Sequence, residues 1–197
     1  MASYELVVIG CSWGGFDGLR RLFSVLPADF PIPVVVAQHR LAQGEDGLDA
    51  SMQSASSLPI MDVTDKEPLL GGAIYLAPAD YHTIVDGKSL ALSTEDALNF
   101  ARPSIDILFE TAANSYGDSL IAVILTGAND DGAAGLRRVK ELGGYTIIQN
   151  PGTAVRREMP DAALAQSRPD LVVALEEIGP HLVQLCASRT GGDDARR

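Results

Sequence analysis

Short apolar runs of strand length alternate along this chain with longer segments of helical period, and that alternation constrains the fold more than any other feature. Such a pattern implies βαβ units, because parallel neighbours need a crossover long enough to hold a helix. The runs predict strands near residues 4–9, 32–37, 58–62, 73–77, 120–125, 145–149 and 171–174, with helices near 15–25, 46–55, 104–116, 132–142, 161–166 and 176–187. The expected fold class is therefore α/β: a doubly wound, mostly parallel sheet flanked by helices. Residues 80–92 differ, since Asp86-Gly87 between two short alternating runs signals a hairpin. That hairpin is expected to add antiparallel strands at a sheet edge.

A chain of 197 residues accommodates one domain with a sizeable core, read here as residues 1–187, followed by a polar tail, 188–197, expected to be frayed. The net charge of -11 argues against nucleic acid as the main partner, because phosphate binding needs clustered Lys and Arg. The N-terminus lacks the parts of a secretory signal, and no apolar run approaches the roughly 20 residues that span a membrane. Membrane insertion is not expected, and a soluble cytoplasmic protein is. Cys11 and Cys186 lie too far apart in sequence for a C-x-x-C metal site and are too few for a disulfide framework. Cys11 is expected to pack as a small apolar residue.

In open α/β sheets ligands sit at the carboxyl ends of the strands, so the strand-to-helix junctions are the places to search. Three carry chemistry. At the first, Tyr4-Glu5-Leu6-Val7-Val8-Ile9 breaks at Gly10-Cys11-Ser12-Trp13-Gly14-Gly15 and runs into a helix. G-x-S-x-G in that setting is the nucleophile-elbow pattern, with Ser12 as candidate nucleophile. A serine there can equally cap the helix, and the helix N-terminus suits an oxyanion or a phosphate. At the second, Pro33-Val34-Val35-Val36-Ala37 ends at Gln38-His39, where an imidazole can act as general base or sit satisfied in a loop. At the third, Leu120–Leu125 leads into Thr126-Gly127-Ala128-Asn129-Asp130-Asp131-Gly132, whose carboxylates can orient a histidine or cap the next helix.

The remaining histidines fit other places. His181 follows Gly179-Pro180 and reads as part of a helix start, and His82 in the hairpin reads as structural. The order Ser12, His39, Asp131 differs from the Ser, acid, His order of the α/β-hydrolases.

That order, with its surroundings, resembles the catalytic domain of the chemotaxis protein-glutamate methylesterases, the CheB-type family. The resemblance runs through Val8–Gly15, Gln38-His39, Ile74–His82, Arg102–Phe109, Ile124–Ala133 and the stretch from Gln149 to Met159-Pro160, so nearly the whole chain is covered. It implies Ser12 as nucleophile, His39 as base and Asp131 as orienting acid, with Asp130 in a variable place before the matched Asp-Gly pair. It further implies an oxyanion hole of backbone N–H groups, here those of Trp13 and Ala128, and no metal or organic cofactor. The implied substrate is a glutamyl methyl ester in the cytoplasmic methylation region of methyl-accepting chemoreceptors, with deamidation of glutamine as a companion activity. Arg102 can then attract the acidic flanks of a receptor helix, or anchor the helix start at Pro103.

The chain departs from the family's pattern at several points. Cys11 and Trp13 stand where a small residue and a threonine are usual, and Trp13 is placed to reshape the ester pocket. Gly127-Ala128-Asn129 replaces Gly-Met-Gly, and Arg40-Leu41-Ala42-Gln43-Gly44 replaces the segment that usually follows the histidine. Family members commonly carry a receiver domain ahead of the catalytic domain. With Ser12 so near Met1 none is expected here, and control is expected from a separate response regulator or other signalling protein. Two other readings stand beside the esterase: a catalytically weak relative that serves as a binding module, and a nucleotide-binding α/β protein. The latter lacks G-x-G-x-x-G spacing and a ribose-binding acid after the second strand.

Overall fold

The computed structural model describes residues 4–39, 48–98 and 101–187. The expected tail 188–197 and the replaced segment Arg40–Gly44 lie outside the described residues. The first half contains β1 (Leu6–Cys11), α1 (Gly15–Ser24), β2 (Val34–Gln38), α2 (Leu48–Gln53), β3 (Ile60–Asp62), β4 (Glu67–Pro68), β5 (Ile74–Leu76), β6 (His82–Asp86) and β7 (Ser89–Ser93). The second contains α3 (Ile105–Tyr116), β8 (Leu120–Ile124), α4 (Ala133–Glu141), β9 (Tyr145–Gln149), α5 (Glu158–Gln166), β10 (Leu171–Val173) and α6 (Leu175–Cys186).

Among the described residues the main sheet holds seven parallel strands in the order β10-β9-β8-β1-β2-β5-β3. β1 is central and buried along its whole length, which is why it reads as an unbroken apolar run rather than an alternating one. Its alternate residues feed two cores. Leu6 and Val8 join Phe109 of α3 and Leu136 of α4 on one face. Val7 and Ile9 join Leu19 and Phe23 of α1 and Ile178 of α6 on the other. Helices therefore cover both faces, as the doubly wound expectation has it.

The chain leaves β1 toward β2 on one side and later returns to pair β8 on the other. The crevice that such a reversal opens lies beyond the carboxyl end of β1. Register aligns the strand ends there: Cys11 pairs with Gln38, and Gly10 with Ile124. The ladder continues past the strands through the His39 N–H to Cys11 O (3.0 Å), the Leu125 N–H to Gly10 O (2.9 Å) and the Ser12 N–H to Thr126 O (2.9 Å).

The hairpin forms, as β6 and β7, but it does not extend the main sheet. With β4 it makes a separate antiparallel sheet, order β4-β7-β6. The free edge of β6 is met by α3 instead: Val85 N–H donates to Thr111 Oγ1 and the Ser115 hydroxyl donates to Val85 O, both at 3.1 Å. Helix hydroxyls thus satisfy the edge that another strand would have paired. A second difference concerns His181. The helix starts at Leu175, where Glu177 Oε2 accepts the Ala174 N–H (3.1 Å), so Pro180 and His181 lie inside α6 rather than at its start. His181 Nε2 meets the Tyr145 hydroxyl at 3.1 Å, at the first residue of β9 and so at the opposite sheet edge from Ser12. Similarly, α5 begins at Glu158 rather than near 161, because Pro160 falls in a first turn, where its missing N–H costs little.

Candidate active site

The turn that carries Ser12 is built by close approach. A Cβ on Gly10 would fall 2.3 Å from Ile105 Cγ2, so β1 can run against the start of α3 only with glycine there. Gly14 takes φ 80°, a left-handed conformation that favours glycine, and serves as N-cap of α1. No side chain caps that helix, which leaves the Ser12 hydroxyl free of the capping job. Cys11 is buried behind the turn, and burial pushes its thiol well above the ordinary range. Among the described residues neither the Trp13 N–H nor the Ala128 N–H finds an acceptor, whereas the neighbouring Gly127 N–H is used by Arg156 O at 3.1 Å.

His39 stands at the end of β2, one ladder step from Ser12. Its Nε2 lies 2.7 Å from Asp131 Oδ2, with the imidazole largely buried and the carboxylate wholly so. Asp131 accepts three further hydrogen bonds, all from the start of α3. They come from Ile105 N–H to Oδ2 (2.7 Å), Asp106 N–H to Oδ1 (3.0 Å) and the Ser104 hydroxyl to Oδ1 (3.0 Å). Burial alone would raise its pKa. The bond from His39, the two backbone donors and the nearby imidazole charge outweigh that and hold the carboxyl below its ordinary value. The positive end of the α3 dipole acts in the same direction. Asp131 is therefore an anion across the neutral range.

The shell behind Asp131 is one that sequence reasoning missed. Ser104 caps α3 by accepting the Ile107 N–H (3.4 Å) while donating to the carboxylate. Its own N–H donates to Nδ1 of the buried His82 (3.2 Å), whose Nε2 meets Asp96 O at 3.1 Å. His82 is thus structural, fastening the hairpin to the start of α3. Asp106 sits behind Asp131 with Oδ1 accepting the Gly135 N–H at 2.7 Å. Burial raises its pKa to about 6, helped by the charge of Asp131 and opposed by the backbone of Gly135 and Gly132. A serine at a helix N-cap was the legible signal; that the helix starts beneath an acid 25–27 residues further on was not.

Three other residues face the same crevice or border it. Asn129 places its Nδ2 3.4 Å from His39 Nδ1, the ring nitrogen that Asp131 leaves open. No hydrogen bond joins Ser12 Oγ to the ring among the described residues. Trp13 is 64% exposed, with the Arg156 guanidinium 5.4 Å over its ring and Glu158 beside that guanidinium at 3.6 Å. The segment before it is stitched to the elbow, for Thr126 Oγ1 accepts the Arg156 N–H (2.8 Å) and lies 3.0 Å from Trp13 O. Arg102 spends its guanidinium on the carbonyls of Thr94 (3.1 Å) and Glu95 (3.0 Å), with Asp80 at 3.9 Å. These bonds tie it to the loop that carries Thr94 and Glu95.

The strand ends thus bring together a hydroxyl at a glycine turn, an imidazole backed by a buried carboxylate, and two unspent backbone donors. These are the parts that nucleophilic acyl transfer requires. Among the described residues no group of three or more His, Cys, Asp or Glu could hold a metal ion, and no helix is long and apolar enough to cross a membrane.

Comparison with known proteins points the same way. The profile of the CheB methylesterase family matches residues 7–182. A Leptospira interrogans protein provisionally named protein-glutamate methylesterase/protein-glutamine glutaminase is 40% identical over 184 residues, covering 93% of this chain and 95% of that one. A protein-glutamate methylesterase/protein-glutamine glutaminase of a group 1 operon in Pseudomonas putida is 36% identical over 93% of this chain, which spans 50% of that protein. Among solved structures, the Thermotoga maritima CheB methylesterase catalytic domain superposes with a TM-score of 0.88 at 34% identity, covering 93% of this chain and 99% of that one.

Proposed function

The chain belongs to the CheB methylesterase family, and from that premise we propose that it hydrolyses glutamyl methyl esters of chemoreceptors, with Ser12 as nucleophile, His39 as base and Asp131 as the acid that orients the base. The observation that carries this reading is the 2.7 Å contact between His39 Nε2 and the buried Asp131, one ladder step from Ser12. Because the acid holds Nε2, the proton of Ser12 goes to Nδ1 as Oγ attacks the ester carbonyl carbon. The oxyanion that forms is met by the N–H groups of Trp13 and Ala128, each worth about 3–4 kcal/mol when well aimed. Collapse of the tetrahedral species breaks the bond to the methoxy oxygen, and the Nδ1 proton leaves with it as methanol. Water, deprotonated by His39, then hydrolyses the glutamyl-serine ester.

The partner in this reading is the cytoplasmic methylation region of a chemoreceptor. Glutamine deamidation uses the same steps with ammonia as leaving group. The test is methanol release from a methyl-esterified receptor segment. Ser12→Ala should lower the rate by at least about 10⁴-fold while leaving the fold intact, since a triad loses most of its effect with any member. A Ser12→Ala variant with the full rate contradicts the proposal.

A further inference from the structure

We propose that Asn129 is a positioning residue for His39, which holds the imidazole in the tautomer whose Nδ1 can take a proton; this rests on the reading of His39 as the base of Ser12. The turn between Thr126 and Gly132 presents two side chains to one ring. Asp131 Oδ2 faces Nε2 at 2.7 Å, and Asn129 Nδ2 faces Nδ1 at 3.4 Å. A neutral imidazole has one N–H and one lone pair. The ionised carboxylate can only accept, so the N–H is at Nε2. An amide N–H can only donate, so the lone pair is at Nδ1. Both contacts select the same tautomer, the one in which the open nitrogen is a base. A half-turn of the ring about Cβ–Cγ would set C–H groups against both partners, so the pair also fixes the rotamer.

A turn asparagine ordinarily bonds its side chain to nearby backbone. Among the described residues Asn129 makes no such bond, and its Oδ1 is buried with no hydrogen-bond partner. When Oγ of Ser12 attacks the ester carbon, the amide N–H gives up the single Nδ1 lone pair to the serine proton. That proton then leaves from Nδ1 with the methoxy oxygen as methanol. Asn129 itself gains and loses no proton.

The experiment compares the full chain with Asn129→Ala and Asn129→Asp. It reads kcat and KM on the methyl ester, the rate at which a fluorophosphonate labels Ser12, and the ¹⁵N NMR signals of the His39 ring. Asn129→Ala should lower kcat and the labelling rate together by about five- to tenfold, the worth of one ordinary hydrogen bond, with KM within about twofold. Its His39 signals should move from one fixed tautomer toward an exchanging pair. Asn129→Asp should lose more, because a carboxylate at Nδ1 draws the proton onto the base nitrogen. Wild-type kcat with unchanged ring signals in Asn129→Ala overturns the proposal, as does a loss confined to KM. If no form of the protein hydrolyses the ester while Asn129→Ala still releases the tautomer, Asn129 holds the ring as proposed and the methylesterase reading is what fails.

Discussion

The turns after β1 and β8 are built on one plan and finished in opposite ways. Each leaves a buried central strand and enters a helix through a left-handed glycine that no side chain caps, Gly14 at φ 80° before α1 and Gly132 at φ 93° before α4. The β8 turn then locks its acid, for Asp131 is wholly buried and receives four hydrogen bonds. The β1 turn leaves Ser12 partly exposed and Trp13 open to solvent. In the proposed mechanism the orienting acid has to stay fixed through every turnover, whereas the nucleophile has to meet substrate, become acylated and be released. Identical backbone devices serve both because rigidity here comes from what surrounds the turn, chiefly the start of α3.

The largest effect is expected at the acid. Asp131→Asn should lower kcat by about 10⁴-fold, because an amide can present a donor where His39 needs an acceptor and so favours the wrong tautomer. Steady-state kinetics on the methyl ester check this, and a loss under tenfold would mean that the locked side is not what orients the base.

The glycines sharpen the comparison in stability. A Cβ on Gly132 would fall 2.6 Å from Ile105 Cγ2 and 2.7 Å from Ile124 Cδ1, both in the core, while one on Gly14 would fall 2.7 Å from Cβ of the exposed Val155. Both substitutions carry the left-handed penalty of about 1–2 kcal/mol, and overpacking should add about 1–3 kcal/mol at Gly132. Urea unfolding should therefore rank Gly132→Ala as the more destabilised, and equal losses would contradict the locked and open distinction.

Asp106 tests the cost of the locked side through pH. Its native pKa of about 6 lies above the ordinary carboxyl value, so the native state holds this proton more tightly than the unfolded chain does. The resulting stabilisation is complete below about pH 4 and is lost as pH rises through about 6. Asp106→Asn keeps an oxygen for the Gly135 N–H and has nothing to ionise. Relative to wild type it should gain about 1–2 kcal/mol between pH 4 and 7, after discounting for solvent screening. A difference that stays flat across that range would refute the assignment.

The smallest effect belongs to the open side. Trp13→Ala should change stability by about 0.5–1 kcal/mol, the worth of an exposed cation–π contact with Arg156, and should act mainly on KM. A fall in kcat comparable to that of Asp131→Asn would place Trp13 among the rigid parts instead.

How far the sequence reaches follows from the same contrast. Strand runs such as Leu120–Ile124 and Tyr145–Ile148 are legible because burial on both faces writes itself as unbroken β-branched and apolar residues. The positions of Ser12, His39 and Asp131 at strand ends are legible for the same reason. What fastens them is not. Ser104, Ile105 and Asp106 hold Asp131 across 25–27 residues, His82 reaches Ser104 across 22, and Asn129 reaches His39 across 90. Those contacts depend on how helices and turns pack, which no local pattern encodes. The hairpin shows the same limit, since Asp86-Gly87 predicts its turn but not that hydroxyls of α3 claim its edge.

In the proposed mechanism the open turn and the locked turn act together on one serine. Mass-spectrometric mapping of the protein after reaction with a fluorophosphonate tests it most directly. A single adduct is expected on the peptide that carries Ser12, formed at least about 10²-fold more slowly in His39→Ala, where general-base assistance is lost. Labelling at another residue, or at Ser12 with a rate that His39→Ala leaves unchanged, would contradict it.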